Sequence, residues 1–235
     1  MTLAPIGPDC MPGGDEHGAA PHYALAIFDF DGTLANSGDW FLSIAGDLAR
    51  RFSFREPGVD ELEMLRGLSS REVIRYLGIP HWKLPAISRH VRALLAEQID
   101  RIALFDGIDA VLETLASNGV RIAIVSSNAE ANVRSVLGPA NIAHIESFAC
   151  GASLFGKARL FKRVVRASGL AHRQVISIGD ETRDITAARK AKITAGAALW
   201  GYASRDALSR LEPDALFETP DDVVRLVLGG ARVDL

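Results

Sequence analysis

The stretch YALAIFDFDGTL, residues 23–34, decides the fold. Its first eight residues are almost continuously apolar, and the run stops at Asp31-Gly32. A half-exposed strand alternates apolar with polar residues. A run without alternation predicts a strand buried on both faces, as in a parallel sheet covered by helices. Working outward, apolar runs at 120–125, 144–150, 175–179 and 193–199 predict further strands of the same kind. Helical patterns lie between them, at 130–137, 157–167 and 182–191. Ahead of the second strand, Asp106 is placed to cap a helix carrying Ile108, Val111, Leu112 and Leu115 on one stripe, with Gly119 just past its end. This alternation predicts an α/β fold: a Rossmann-like parallel sheet core with helices on both faces.

One stretch breaks the alternation. Residues 38–104 hold no strand-like run, only helical patterns at 39–52, 70–77 and 88–102, the second stopped by Gly78 and Pro80. The segment therefore reads as a small all-helical cap inserted into a core made of residues 23–37 and 105–235. Gly38 and the pair Asp106-Gly107 lie at its two junctions, where hinges are expected. Residues 81–85, His-Trp-Lys-Leu-Pro, read as a packed turn within it. The Pro- and Gly-rich residues 1–22 read as a flexible leader.

Composition narrows the function. In 235 residues, 26 Lys and Arg stand against 29 Asp and Glu, a formal net charge of -3, which gives no broad basic face for nucleic acid or an anionic membrane. No apolar run approaches the roughly 20 residues that span a bilayer. Two cysteines, Cys10 and Cys150, build no disulfide framework, so a cytoplasmic protein is expected. The six histidines are scattered without the spacing of metal ligands.

Ligands of open parallel sheets bind beyond the carboxyl ends of the strands. The predicted strand ends are followed by Asp29, Asp31, Gly32 and Thr33, by Ser126, Ser127 and Asn128, by Lys157 after a short loop, and by Asp180, Glu181 and Asp184. Carboxylates gathered at one edge repel unless a cation lies among them, and a hard ion such as Mg²⁺ suits all-oxygen donors. A divalent cation, a lysine and backbone amides together form a receptor for a phosphoryl group.

The motif Asp29-Phe-Asp31-Gly32-Thr33-Leu34 resembles the first motif of the haloacid dehalogenase superfamily of phosphatases. Ser126 after IAIV is similar to its second motif, Lys157 in LFGKARL to the third, and Gly179-Asp180-Glu181-Thr-Arg-Asp184 to the fourth, in the family's order. The resemblance implies that Asp29 is the nucleophile and that Asp31 is the general acid and base. It implies Mg²⁺ held by the Asp29 carboxylate, the Asp31 main-chain carbonyl and Asp180. It implies that Asp184 and Glu181 fall outside that set, supporting the ion's ligands or bonding a metal-bound water. Gly32, Thr33, Ser126, Ser127, Asn128 and Lys157 bind the phosphoryl oxygens. A second acidic residue at position 31 favours phosphate esters over halides as substrates. The cap segment 65–71 is similar to the substrate-facing segment of phosphoglycolate phosphatases and β-phosphoglucomutases, which makes Arg66 and Arg71 candidates for gripping a second anionic group. The expected partner is a small phosphorylated metabolite, and the expected assembly a monomer or homodimer.

Other readings stand beside these. Asp31-Gly32 alone is a common turn, Ser126 to Asn128 a possible helix cap, and Asp184 a carboxylate that suits the start of a helix. Residues 151–158, GASLFGKA, fall one residue short of a nucleotide-binding P-loop, with Ala158 where such a loop needs a hydroxyl. A phosphomutase would use the same core, and a non-catalytic relative would keep the fold.

Overall fold

A computed structural model describes residues 21–151 and 156–229. All but the last two residues of the expected leader lie outside the described residues, as do residues 152–155 of the P-loop-like stretch.

Strand β1 (Leu25–Phe28) is followed by the short β2 (Ala35–Asn36) and then by helices α1 (Gly38–Phe52), α2 (Leu62–Arg66), α3 (Ser70–Tyr76) and α4 (Leu84–Glu97). The chain returns through β3 (Ala103–Leu104), which pairs antiparallel with β2, so the two ends of the helical segment are stapled together. Then come α5 (Ile108–Ser117), β4 (Arg121–Val125), α6 (Glu130–Ile142), β5 (Ser147–Ala149), α7 (Lys157–Ser168), β6 (Val175–Gly179), α8 (Thr182–Ala191), β7 (Thr194–Ala198), α9 (Arg205–Ser209), β8 (Ala215–Phe217) and α10 (Pro220–Val227). Six of the strands form one sheet in the order β5-β4-β1-β6-β7-β8. Every pairing within it is parallel.

The apolar run of β1 is explained by its two covered faces. Leu25 and Ile27 pack with Phe161 and Val165 of α7 and Ile185 and Ala188 of α8. Ala26 and Phe28 point the other way, into a cluster with Leu112 and Leu115 of α5 and Val223 and Val227 of α10. Burying each large apolar side chain contributes about 1.5–3 kcal/mol. The central position of β1 lets both faces contribute, and it places Asp29 between β4 and β6.

Several expectations need correction. Asp106 does not cap α5: Gly107 occupies that position with φ 85°, and no side chain caps the helix. The left-handed glycine sets Asp106 one residue too far back. The helix expected over 88–102 starts earlier, because Pro85 fits its first turn, and it ends at Glu97 before a separate 3₁₀ turn at Ile99–Arg101. α6 is broken at Gly138, φ 70° and ψ 167°, where the expected helix over 130–137 stops. β5 is shorter than the apolar run around it. Residues 81–83 form a 3₁₀ turn that is packed only in part: Trp82 is 77% exposed, while Lys83 is half-buried and donates to the Phe52 carbonyl at 2.6 Å. β2, β3 and β8 were not expected.

Among the described residues, no helix is long and apolar enough to cross a membrane.

Candidate active site

The carboxyl ends of β1, β4, β6 and β7 meet at one edge of the sheet. Asp29 follows β1 directly. Its main-chain N–H continues the ladder by donating to the Ile178 carbonyl at 2.9 Å, while its Oδ1 accepts from Phe30 N at 2.8 Å. That leaves Oδ2, which lies 2.6 Å from Lys157 Nζ in an ion pair but receives no aligned hydrogen bond. Lys157, the first residue of α7, also pairs with Asp184 Oδ1 and is 4% exposed. Asp29, Asp180 and Asp184 are all buried, and each offers an oxygen within 4.8 Å of the others.

The electrostatics follow from this crowding. Burial raises the Asp29 carboxyl to about 7, with the Asp184 charge adding to the rise and Lys157 opposing it. Burial also holds Asp180 well above the usual carboxylate range, reinforced by the charges of Glu181, Asp29 and Asp184. Burial acts against the Lys157 ammonium, but Asp184 and Asp29 outweigh it and raise its pKa. Desolvated carboxylates that resist ionisation together attract a further cation. Three buried carboxylates, with Oδ2 of Asp29 lacking an aligned donor, fit a hard divalent ion.

The Asp31 carboxylate does not join this cluster. Its Oδ1 accepts from Ser37 Oγ at 3.1 Å, and Asn128 Nδ2 lies 3.2 Å from Oδ1 and 3.1 Å from Oδ2. Burial raises its pKa, with the hydrogen bonds from Ser37 and Asn128 pulling the other way.

The turn between Asp29 and β2 depends on Gly32. Its φ is +79°, and a Cβ there would lie 2.3 Å from Asp180 Oδ2. Thr33 is fully buried and donates its hydroxyl to Asp180 Oδ1 at 2.7 Å. Ser126 is buried at the end of β4. Its Oγ accepts from Asn128 N at 2.9 Å, which leaves its own proton to give. These polar residues are not the cap of α6, whose N-cap is Ala129 without a side-chain bond. Asn128 is held by its carbonyl, which accepts from Ala129 N and Asn132 Nδ2, so that its amide nitrogen faces Asp31. Ser127 beside it is partly exposed. Asp184 does sit in the first turn of α8, accepting from Glu181 N at 3.1 Å, so the helix-start reading and the cluster reading both describe it. Glu181 accepts from Ser70 Oγ at 2.5 Å and pairs with Arg183.

Arg66 reaches the sheet edge and not the carboxylates. Its Nε donates to the Tyr202 carbonyl at 3.1 Å, and Nη2 lies 3.5 Å from the Gly201 carbonyl. Arg210 answers from the other side by donating to the Gly67 carbonyl at 2.8 Å. Arg71 lines a groove of about 630 Å³ with Ile74, Arg75 and His81, lined by none of the strand-end residues. Burial pushes the Cys150 thiol up to about 12.

Sequence reasoning missed Ser37, Trp200 and Tyr202. The indole of Trp200 donates to the Thr33 carbonyl at 2.9 Å, and Tyr202 N donates to Asp180 Oδ2 at 2.8 Å. The expectation of β7 at 193–199 put Trp200 and Tyr202 at the same sheet edge, but no local motif singled out which residues there make the contacts.

A family model described as haloacid dehalogenase-like hydrolase matches residues 26–198. The phosphoglycolate phosphatase of Synechococcus elongatus is 32% identical over 86% of this chain and 95% of its own. A Mycobacterium tuberculosis protein named tyrosine-protein kinase PtkA is 29% identical over 79% of this chain, but the match takes in only 65% of that protein. The solved structure of a haloacid dehalogenase-like family hydrolase from Streptococcus pneumoniae superposes with a TM-score of 0.70 at 21% identity, over 86% of this chain and 97% of that one.

Proposed function

This chain belongs to the haloacid dehalogenase-like hydrolases, and we propose that it is a Mg²⁺-dependent phosphatase of small phosphorylated metabolites, phosphoglycolate-like in substrate, working through phosphoryl transfer to Asp29. The observation that carries this reading is Asp29 Oδ2. It is a buried carboxylate oxygen with no aligned donor, 2.6 Å from Lys157 Nζ, within a set of three carboxylates.

Bound at Asp29, Asp180 and the Asp31 main-chain carbonyl, the ion would supply positive charge against the developing negative charge on phosphorus-bound oxygens. The chain's own residues do the rest. Asp29 Oδ2 attacks phosphorus and forms an O–P bond as the ester oxygen leaves. Asp31, whose pKa is raised by burial, protonates that oxygen. Asp31 then takes a proton from the water that attacks phosphorus, and inorganic phosphate leaves as Asp29 is regenerated. Lys157 and the proton of Ser126 bind equatorial oxygens, with main-chain groups of the Gly32 turn beside them. Thr33 and Asp184 hold Asp180 and Lys157 in place.

The segment 38–104 is assigned as the cap that admits the substrate and shields the site from water. Arg66 clasps it to the core through the carbonyls of Tyr202 and Gly201, and Arg71 lies on its outer groove. The relative from Synechococcus supports a small anionic substrate, and the two-cysteine composition supports a reducing, cytoplasmic setting.

The test is a panel of phosphorylated metabolites assayed for inorganic phosphate with and without Mg²⁺. Release that requires Mg²⁺ and is greatest for small phosphorylated acids is the expected result. Isomerised sugar phosphate in place of free phosphate would identify a mutase, and no turnover of any ester would overturn the reading.

A further inference from the structure

Tyr202 stands at the meeting point of three groups. Its N–H donates to Asp180 Oδ2 at 2.8 Å, its carbonyl accepts from Arg66 at 3.1 Å, and its phenolic oxygen lies 2.6 Å from Ser37 Oγ. Ser37 is buried, at 2% exposure, and passes the contact on by donating to Asp31 Oδ1 at 3.1 Å. The ring lies against two glycines. A Cβ on Gly32 would come within 2.9 Å of Tyr202 Cε2, and one on Gly38 within 3.2 Å of Cε1. Room for the ring thus depends on glycine both at the catalytic turn and at the first residue of α1.

We propose that Tyr202 is a positioning residue for the general acid, acting through Ser37 to fix the orientation of the Asp31 carboxyl. The inference rests on the acid and base role assigned to Asp31 above. A serine hydroxyl has one proton. With that proton given to Asp31 Oδ1, Ser37 has only lone pairs to offer Tyr202, so the phenol donates. The order of donors is therefore Tyr202 to Ser37 to Asp31. Asn128 Nδ2 lies against both oxygens, 3.2 Å from Oδ1 and 3.1 Å from Oδ2, while only Oδ1 also takes the Ser37 proton, so Oδ2 has the fewer donors and is the oxygen assigned the transferable proton. Without the relay the carboxyl is held by Asn128 alone, and a misplacement on the order of 1 Å costs about 10²-fold in rate.

The variants Tyr202→Phe and Ser37→Ala each delete one link, and kcat/KM isolates the first half-reaction, in which the ester oxygen leaves. An alkyl phosphate such as glycerol phosphate needs that oxygen protonated; p-nitrophenyl phosphate does not. Each variant is expected to lower kcat/KM for the alkyl ester by about 10–100-fold while changing the aryl ester by less than about threefold. The double variant is expected to be no worse than either single one, because both cut the same chain. Equal losses on the two esters, or multiplicative losses in the double variant, with an active parent protein, overturn this inference alone. A parent protein inactive on both esters overturns the phosphatase reading, and this inference with it.

Discussion

Thr33 Oγ1 donates a 2.7 Å hydrogen bond to Asp180 Oδ1, joining two residues 147 positions apart in the chain. Both are fully buried. The bond orients one of the three clustered carboxylates from the turn after β1, so the β1 and β6 ends are set relative to each other. Thr33→Val keeps the shape and removes the donor. Loss of such a supporting contact typically costs 10–100-fold in metal affinity. The half-saturating Mg²⁺ concentration for phosphate release is expected to rise by about that factor. An unchanged Mg²⁺ dependence would show that Asp180 does not depend on Thr33.

Metal-free stability is expected to fall as pH rises. The Asp29 carboxyl moves from an ordinary 3.8 to about 7, and Asp180 is raised as well. Between its unfolded and folded values each group binds more protons in the folded state, so its contribution is full below the unfolded value and lost as pH climbs through the folded one. The metal-free melting temperature should therefore drop from about pH 5 to about pH 8, and the drop should shrink in Asp180→Asn. Mg²⁺ added at the higher pH should restore it, since the ion binds the native state. A metal-free protein more stable at the higher pH would contradict the crowded-carboxylate account.

Gly32 has no tolerance for a side chain. An alanine would carry a strained φ of +79° and a Cβ 2.3 Å from Asp180 Oδ2. The backbone strain alone costs about 1–3 kcal/mol, and the clash displaces a carboxylate of the cluster. Gly32→Ala is expected to lower the melting temperature and to reduce Mg²⁺-dependent turnover by at least about 10²-fold. Activity retained within a few-fold would mean that the turn has another route around Asp180.

Arg66 is expected to act as a clasp. Its donors meet main-chain carbonyls of residues 201 and 202, and each such bond is worth about 1 kcal/mol. Arg66→Ala should raise KM by a similar factor for a metabolite bearing a second anionic group and for p-nitrophenyl phosphate. A rise confined to the first substrate would instead put Arg66 on the substrate itself.

The central strands were legible because burial on two faces leaves them few polar residues: in β6, which spans the very range expected, Ser177 is the only polar side chain. β8 was not, because three residues, two of them only partly buried, leave no run to read. β2 and β3 hold two residues each, too few for any period. At the site, Asp29, Lys157 and Asp180 follow from asking what ends each strand. Tyr202 was hidden because two of its three contacts use its main-chain N–H and carbonyl, which every residue but proline has. Asn128 was read as a phosphate contact, while its amide nitrogen meets Asp31, 97 positions earlier. Long-range pairings of this kind leave no local spacing behind them.

The central claim is that Asp29 carries the phosphoryl group during turnover. The direct measurement is to quench the enzyme in acid during steady-state hydrolysis of a phosphate-labelled ester and to map the labelled peptide by mass spectrometry. The account predicts a phosphoryl group on the peptide containing Asp29, absent from Asp29→Asn, which should also fail to release phosphate. Sustained phosphate release by Asp29→Asn, or a label on any other residue, would contradict it.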